Sequence, residues 1–284
     1  MLLRFTKMHG IGNDFMLLDL ISQDIRLNED QIRMLADRRL GIGFDQLLIA
    51  EPPCSPTADF RFRIYNTDGS EAAQCGNGAR CLTRFVRDRG LTTKTQIILE
   101  AKNGNIECKL ERDGNITVNM GPARLEPEHI PFLADHSQIS YDVEVLSPLN
   151  QCGEPERVCL SAINIGNPHA VLVVDDVAAA PVNRLGPILE SHKRFPDRAN
   201  VNFMQILSRS EIALRVYERG VGETLACGSG ACASVVAGRL RGLLDEQVCV
   251  SLPGGKLDIR WAGSEADIYM TGSACRVYEG RLNI

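Results

Sequence analysis

Two segments of this 284-residue chain combine a cysteine with closely spaced glycines, a pattern that can carry acid–base chemistry. Each reads Cys-Gly-x-Gly-Ala, beginning at Cys75 in the first half of the chain and at Cys227 in the second. Each cysteine follows a tyrosine, Tyr65 or Tyr217, by ten residues. A helical pattern then starts, so the sequence predicts that both cysteines lie where a strand and a loop lead into a helix.

A cysteine at a helix N-terminus is suited to proton transfer, because the helix dipole lowers the pKa of its thiol. The N–H groups of the first turn can also bind a carboxylate. These groups belong to Gly76, Asn77, Gly228 and Ser229. A carboxylate held between two such turns places its α-carbon between two sulfurs, one removing a proton and the other donating one. We therefore expect Cys75 and Cys227 to face each other across a cleft and to invert a carbon centre.

One such motif alone favours a buried structural cysteine. The presence of the motif in both halves of the chain favours catalysis, since packing alone does not require a cysteine at the equivalent position of both motifs. Cys81 and Cys232, further along the predicted helices, are expected in the core, and the other six cysteines are interpreted as structural. No two cysteines have the Cys-x2-Cys spacing of a structural zinc site, and we predict neither a metal nor a disulfide framework.

Other landmarks are duplicated as well. The segment from Gly12 to Phe15 resembles the segment from Gly166 to His169, and 62 and 60 residues separate the asparagines of these segments from the two cysteines. This spacing predicts two homologous domains, residues 1–122 and residues 123–272, packed about a pseudo-two-fold axis. Domain interfaces of this kind are favoured places for ligand sites.

Local patterns predict the elements between these landmarks. Asn28 to Gln31 resembles a capping box and starts a helix that continues until Gly41. Residues 60–65 alternate between apolar and polar, as a half-buried strand does. Asp113-Gly114 predicts a tight hairpin. The stretch 124–149 contains three prolines and is interpreted partly as a linker.

The composition excludes several classes of protein. Hydrophobic residues make up 44% of the chain and charged residues 24%, as in ordinary globular proteins. The net charge is −5, and no basic stripe is present, which argues against nucleic acid as a partner. No apolar run is long enough to span a bilayer, and the N-terminus does not resemble a signal peptide, so we expect a soluble cytoplasmic protein without a membrane partner.

Further motifs accompany the cysteine segments along the whole chain. They are His9-Gly10-x-Gly12-Asn13-Asp14-Phe15, Gly41-x-Gly43-x-Asp45-Gln46, Asn66-x-Asp68-Gly69-Ser70, Gly166-Asn167-Pro168-His169, Asn200-Val201-Asn202-Phe203 and Glu218-Arg219-Gly220-x-Gly222-Glu223-Thr224. In this combination the chain resembles the diaminopimelate epimerase family, whose members are amino acid epimerases that need no cofactor.

The resemblance implies an α+β fold of two similar, mostly-β barrel-like domains, each around a central helix. Residues 273–284 are expected to return to the first domain. It also implies interconversion of L,L-2,6-diaminopimelate and meso-diaminopimelate, on the route to lysine and peptidoglycan, with Cys75 and Cys227 as the two acid/base residues. No cofactor or metal is expected, and the assembly implied is a homodimer.

The resemblance also assigns substrate contacts. Side-chain contacts are implied for Asn13, Gln46, Asn66, Asn167, Asn200, Glu218 and Arg219, and backbone contacts for Gly76, Asn77, Gly228 and Ser229. Diaminopimelate is zwitterionic at both ends, so Arg219 can bind its far carboxylate as a planar fork while Glu218 binds the ammonium. His169 is a candidate for a supporting role; the alternative is a loop histidine hydrogen-bonded to backbone.

The chain departs from the family pattern at Asn202, where glycine is common, and at a proline-rich loop from Pro52 to Pro56. A proline or hydroxyproline racemase would use the same cysteine pair, but its substrates lack the second charged end. A phenazine-biosynthesis-type isomerase would lack the pair. A thiol–disulfide redox protein would leave the carboxylate-binding turns unexplained, and a non-catalytic binding module would keep its binding after substitution of either cysteine.

Overall fold

Short runs in which apolar and polar residues alternate form several of the β-strands of this chain. Phe60, Phe62 and Ile64 are buried, whereas Arg61 and Arg63 between them are half-buried. Successive side chains of a strand point to opposite faces, so this pattern gives each sheet one face toward the core. The observed strand, Phe60–Asn66, agrees with the predicted strand at residues 60–65 within one residue.

The structure is a computed structural model that describes residues 2–73, 75–145 and 156–284. Its two compact units are Met1–Asn119 with Thr271–Ile284, and Met120–Met270. No helix within these described ranges is both long and apolar enough to cross a membrane.

The first half of the chain contains eight strands and two helices among its described residues. They are β1 Leu2–Gly10, β2 Asn13–Asp19, α1 Glu29–Ala36, β3 Gln46–Glu51, β4 Phe60–Asn66, β5 Glu71–Ala72, α2 Gly76–Asp88, β6 Gln96–Ala101, β7 Gly104–Leu110 and β8 Ile116–Pro122.

The second half repeats this order. Its elements are a 3-10 turn at Pro127–His129, then β9 Tyr141–Val145, β10 Glu156–Asn164, β11 Pro168–Val173, α3 Val182–Glu190, β12 Asn200–Ser208, β13 Glu211–Glu218, β14 Gly222–Thr224, α4 Gly228–Leu240, β15 Gln247–Leu252, β16 Gly255–Trp261, β17 Asp267–Gly272 and β18 Cys275–Asn283.

In the first unit, the strands surround α2. β1 and β2 form a hairpin, β2 pairs parallel with β3, β3 pairs antiparallel with β4, and β4 pairs parallel with β6. β18 comes from the end of the chain and pairs antiparallel with β1 from Leu2↔Asn283 to His9↔Cys275. α2 packs against β1, β2, β3, β4 and β7, and Leu82 and Val86 on it are fully buried.

The second unit has the same pairing order around α4. β10 and β11 are antiparallel, β11 and β12 parallel, β12 and β13 antiparallel, and β13 and β15 parallel. α4 is built largely from small residues, and its stretch from Gly230 to Gly238 is buried throughout. A helix that is apolar on all sides belongs inside a core. The structure thus confirms the predicted α+β fold, with a mostly-β sheet around a central helix in each unit.

The helix α1 begins as predicted but ends earlier. Asn28 and Gln31 form a complete capping box, each side chain accepting a hydrogen bond from the other's backbone N–H. The predicted end near Gly41 was wrong, because α1 stops at Ala36. The Asp37 carboxylate accepts hydrogen bonds from the next backbone N–H groups and folds the chain into a turn.

The proline-containing stretch after residue 124 is not a linker where it is described. Ile130, Phe132 and Tyr141 are buried in the core of the second unit, and the rings of Phe132 and Phe195 lie 4.7 Å apart. Each such aromatic side chain contributes about 1.5–3 kcal/mol by leaving water. The linker interpretation is therefore wrong for residues 124–145, and residues 146–149 lie outside the described part of the chain.

Candidate active site

Cys75 is the N-cap residue of α2 and is half-buried. Its Sγ accepts a hydrogen bond from the Gly78 N–H over 3.2 Å, so the sulfur takes the place of the usual capping oxygen. A Cβ on Gly78 would lie 3.3 Å from this sulfur and 3.1 Å from Leu48 Cδ2. The second glycine of the motif therefore lets the helix approach the sulfur closely.

Cys227 is the N-cap residue of α4 and is only 4% exposed. Its Sγ lies 3.6 Å from Ser229 Oγ. A Cβ on Gly230 would be 3.2 Å from Cys227 Sγ and 2.5 Å from Asn202 Oδ1. The two cysteines thus occupy equivalent places, and the third residue of each helix is a glycine that leaves room for the sulfur.

The predicted backbone contacts are the first two residues of these helices. Gly76 and Asn77 open α2, and Gly228 and Ser229 open α4. The first N–H groups of a helix have no partner within the helix and carry its positive dipole end. A helix N-terminus of this kind can bind an anion, and each of the two lies beside a cysteine.

The protonation state of Cys227 differs from the expectation for a helix N-terminus. Burial raises the pKa of this thiol well above its usual value, and the negative charge of Glu218 raises it further. Hydrogen bonds from the Ser229 hydroxyl and the Gly230 N–H act in the opposite direction without cancelling these effects. The prediction of a lowered pKa was wrong for Cys227 in this structure, because burial and the neighbouring Glu218 carboxylate raise the pKa of its thiol.

Three predicted amides of the first unit meet at one edge of its sheet. Asn13 begins β2, Gln46 begins β3 and Asn66 ends β4, and the register pairs Phe15 with Gln46 and Gln46 with Asn66. Gln46 Nε2 donates to Asn66 Oδ1 over 3.0 Å. These polar side chains therefore project together where the parallel strands start.

Asn13 also belongs to a chain of amides that reaches α2. Asn13 Nδ2 donates to Asp45 Oδ2 over 2.8 Å, and Asn77 Nδ2 donates to Asn13 Oδ1 over 3.3 Å. Asn77 Oδ1 accepts from Arg80 Nη2 over 2.9 Å. Arg80 is fully buried, so the chain runs from the exposed Asp45 into the core.

The second unit places its predicted residues at the corresponding sheet edge. Asn200 begins β12 and Glu218 ends β13. Asn200 Oδ1 accepts from the Arg219 N–H over 2.9 Å, and its Nδ2 donates to Pro168 O over 3.2 Å. Glu218 accepts a hydrogen bond from the Thr224 hydroxyl and also bonds to the Cys227 thiol.

Arg219 is exposed beside this group. Its Nη1 donates to Asp197 O over 2.8 Å. A guanidinium fork can bind a carboxylate through two parallel hydrogen bonds. Glu218 and Arg219 are therefore adjacent groups of opposite charge at the end of one strand.

His169 is fully buried in strand β11, not in a loop, and it bonds to side chains rather than to backbone. Its Nδ1 lies 3.1 Å from Asn202 Nδ2, and its Nε2 lies 3.0 Å from Asn167 Oδ1. Asn202 Nδ2 also donates to Ala170 O, which fixes the orientation of that amide. His169 therefore accepts at Nδ1 and donates at Nε2 to Asn167, as a neutral ring.

Burial lowers the pKa of His169 to about 3, with the nearby Arg219 charge acting in the same direction and the Asn202 hydrogen bond opposing it. The ring is thus neutral at physiological pH. It orients Asn167 so that the amide nitrogen of that residue remains available as a donor.

Sequence reasoning did not assign a role to Asp45, Arg80 or Asn202. Asp45 stands inside a motif, beside Gln46. Arg80 lies five residues after Cys75. The two halves of the chain differ at this position, since the residue five after Cys227 is Cys232. Asn202 is a departure from the family pattern, and its side chain contacts the ring of His169.

The remaining cysteines are not all buried. Cys81, Cys108 and Cys232 lie in the core, as expected for small structural residues, and burial raises the pKa of Cys108 to about 12. Three others, Cys54, Cys159 and Cys275, are exposed, which contradicts a purely structural interpretation, and Cys249 is half-buried. Cys152 lies outside the described residues. Within the described ranges, no cluster of three or more His, Cys, Asp or Glu could hold a metal.

Comparison with known proteins identifies relatives over the whole chain. The family profile described as diaminopimelate epimerase matches residues 5–126 and 161–277. Proteins named diaminopimelate epimerase from Ectopseudomonas mendocina and Thioalkalivibrio sulfidiphilus are each 55% identical to this chain, and the alignments cover 100% of both sequences.

Among solved structures, a hydroxyproline epimerase from Agrobacterium vitis with bound trans-4-hydroxy-L-proline superposes with a TM-score of 0.70. The sequence identity is 16%, and the match covers 99% of this chain and 92% of the other. At this identity the likeness concerns the fold alone.

Proposed function

Because this chain belongs to the diaminopimelate epimerase family, we propose that it interconverts L,L-2,6-diaminopimelate and meso-diaminopimelate. The reaction would serve the formation of lysine and of peptidoglycan precursors and would need no cofactor. The observation that carries the proposal is the duplicated placement of Cys75 and Cys227 as N-cap residues of equivalent helices.

In the proposed mechanism, the thiolate of one cysteine removes the α-proton from one face of the substrate carbon. The thiol of the other cysteine delivers its proton to the opposite face, so the configuration inverts and the two sulfurs exchange protonation states. In the reverse direction their roles are exchanged. The carboxylate beside the reacting carbon gains negative charge as the proton leaves, and first-turn N–H groups at Gly76, Asn77, Gly228 and Ser229 would stabilise that charge.

The far end of the substrate carries a second carboxylate and a second ammonium. We assign the second carboxylate to the exposed guanidinium of Arg219, and a substrate ammonium to Glu218, whose carboxylate also bonds to the Cys227 thiol. The amides Asn13, Gln46, Asn66, Asn167 and Asn200 would complete the hydrogen bonds. The supporting observation is that these side chains cluster at corresponding sheet edges in their own units, with His169 orienting Asn167. A substrate with one charged end would leave the guanidinium of Arg219 without a carboxylate to bind.

The test is α-proton exchange of L,L-diaminopimelate in deuterium oxide under reducing conditions. Wild type should incorporate deuterium and yield the meso isomer, and Cys75→Ala and Cys227→Ala should each lower epimerisation by at least about 100-fold. Cys81→Ala and Cys232→Ala remove buried thiols from the same helices and serve as matched controls. Exchange with proline or hydroxyproline but not with diaminopimelate would contradict the substrate, and no exchange with any amino acid would contradict the paired-cysteine mechanism.

We also propose that the protein acts as a homodimer in the cytoplasm. Along the paired strands β1 and β18, the apolar side chains of Leu2, Val277 and Tyr278 are about half exposed, and a second copy could cover such side chains. Sedimentation equilibrium of wild type and of Tyr278→Lys tests the assembly. Fractionation of cells tests the location, and recovery of the protein outside the cytoplasmic fraction would contradict it.

A further inference from the structure

We propose that Arg80 is a positioning residue that sets the direction of the Asn77–Asn13 amide chain, so that Asn13 presents an N–H donor to the substrate. The inference rests on the proposed function, because it concerns how the same site recognises a carboxylate. It adds to that function a residue that touches no substrate atom.

The direction of the chain follows from its two ends. The Asp45 carboxylate can only accept hydrogen bonds, so Asn13 must turn its Nδ2 toward it, 2.8 Å away. The Arg80 guanidinium can only donate, so Asn77 must turn its Oδ1 toward it, 2.9 Å away. Between them, Asn77 Nδ2 and Asn13 Oδ1 form the remaining bond over 3.3 Å. Asp45, as the acceptor at one end, and Arg80, as the donor at the other, therefore favour one arrangement. In it, each asparagine turns its Nδ2 toward the Asp45 end of the chain and its Oδ1 toward the Arg80 end.

This orientation decides what Asn13 offers to a ligand. Its Oδ1 accepts from Asn77, and one Nδ2 hydrogen goes to Asp45, while the second hydrogen has no partner among the described residues. Asn13 is half-buried at the start of β2, so this hydrogen is a donor at the sheet edge. If the amide were reversed, Asn13 would present a carbonyl oxygen there, which repels a carboxylate.

The burial of Arg80 argues against a role in packing alone. A buried charge costs free energy unless hydrogen bonds compensate it, and Arg80 is fully buried with bonds to Asn77 Oδ1 and, from Nε, to Ser273 O over 3.2 Å. Gly10 leaves space for it, because a Cβ there would lie 3.1 Å from Arg80 Nη2. The surrounding residues thus accommodate the guanidinium at a specific place.

The second half of the chain provides an internal comparison. Cys232 stands at the position equivalent to Arg80 and is also fully buried, so the central helix of this fold does not require a charge there. The halves also differ at the second helical residue, which is Asn77 in α2 and Ser229 in α4. Arginine therefore occurs in the half whose second helical residue is an amide, Asn77, and a small apolar residue occurs in the half whose second helical residue is Ser229.

The test is a double-mutant cycle on kcat and KM for diaminopimelate. We expect Arg80→Met and Asn77→Ala each to raise KM at least about tenfold, with kcat changed less than threefold, and the double variant to be no worse than the worse single variant. Arg84→Met is the matched control, because it removes a more exposed arginine of the same helix that bonds to Asp88. It should keep wild-type kinetics.

Asn77→Asp keeps an acceptor for Arg80 but removes the donor to Asn13, so it should match Asn77→Ala, and Arg80→Lys should fall between wild type and Arg80→Met. These two variants decide the question if Arg80→Met does not fold, as thermal unfolding of each variant will show. Additive effects of Arg80→Met and Asn77→Ala, or wild-type KM in Asn77→Asp, would overturn the proposal. If the wild-type protein epimerises diaminopimelate and the variants have the same kcat and KM, only this inference is refuted. If the wild-type protein is inactive, the proposed function is refuted.

Discussion

At the scale of single residues, the surroundings of His169 hold its protonation state far from that of a free imidazole. The ring is fully buried, and burial lowers its pKa to about 3. In the unfolded chain the same ring titrates near 6.5. Between these two values the unfolded chain binds a proton that the folded protein does not bind, so folding loses free energy as the pH falls from 6.5 toward 3.

We therefore predict that His169→Gln makes stability less dependent on pH. Glutamine can also bond to Asn167 and Asn202 but has no proton to gain. On going from pH 7.5 to pH 5.0, wild type should lose about 2 kcal/mol more unfolding free energy than the variant, as measured by urea denaturation. His192→Gln, which changes a more exposed histidine of the same unit, is the control. Equal losses in wild type and His169→Gln would contradict the buried neutral ring.

The pKa of Cys227 shifts in the opposite direction to that of His169, although burial and a neighbouring charge again favour the neutral form. Burial and the Glu218 carboxylate both raise the pKa of its thiol. Glu218→Gln removes the charge but keeps a polar side chain of similar size, so we predict that the pKa of Cys227 falls. The measurement is the pH dependence of alkylation at Cys227, resolved by mass spectrometry in a Cys75→Ser background. Glu223→Gln, on the neighbouring strand β14 and paired with Arg215, is the control, and an unchanged profile in Glu218→Gln would show that burial alone sets the pKa.

At the scale of elements, the second glycine of each cysteine motif sets how closely a helix approaches its sulfur. The neighbours differ between the two helices. A Cβ on Gly230 would lie 2.5 Å from Asn202 Oδ1, whereas the nearest neighbour of a Cβ on Gly78 would be Leu48 Cδ2, 3.1 Å away at the end of a side chain. Substitution by alanine at Gly78 and at Gly230 should therefore destabilise the protein by different amounts.

We predict that Gly230→Ala destabilises the protein by about 1–3 kcal/mol and Gly78→Ala by less, because a flexible leucine can move and a buried asparagine cannot. Thermal and urea unfolding measure both. Asn202→Gly removes the conflicting oxygen, so in that background Gly230→Ala should cost less. If Gly230→Ala costs the same with and without Asn202, the contact between them is not the cause.

Element prediction from the sequence succeeded where the signal is local. The capping box of α1, the alternating strands and the helices after each cysteine all follow from residues close together in the chain. The early end of α1 depends on a turn formed by the Asp37 carboxylate, which competes with helix propensity. The stretch after residue 124 was misjudged because its few apolar residues are buried by α3 and its neighbours, which the local composition does not indicate.

The site was predictable in its residue types but not in its hydrogen bonds. The duplicated motif placed Cys75 and Cys227 at helix N-termini from spacing alone. The direction of the Asn13 amide depends on Asn77, 64 residues away, and Arg80 bonds to Ser273, 193 residues away. The pKa of Cys227 likewise depends on the burial that the whole second unit provides. Such long-range contacts carry no local signal in one sequence.

At the scale of the whole molecule, the two units use the chain differently. The second unit is one continuous stretch, Met120–Met270, whereas the first needs both ends of the chain, because β18 pairs with β1. The contact is close: a Cβ on Gly280 would lie 2.3 Å from Phe5 Cζ, and Leu282 and Ile284 pack against the core that contains Leu3 and Phe5. The first unit is therefore complete only when the last residues are present.

This difference predicts a selective effect of truncation. Removal of residues 274–284 takes away the partner of β1 and exposes the edge of its sheet, so amide protection of β1 and β2 against hydrogen exchange should fall at least about tenfold. Protection of β12 and β13 in the second unit should change less than threefold, which makes that unit the internal control. Gly280→Val, which crowds Phe5 without shortening the chain, should reduce protection in the same strands to a smaller extent. Equal loss of protection in both units would show that they unfold as one cooperative body, and the continuous second unit would then have no stability of its own.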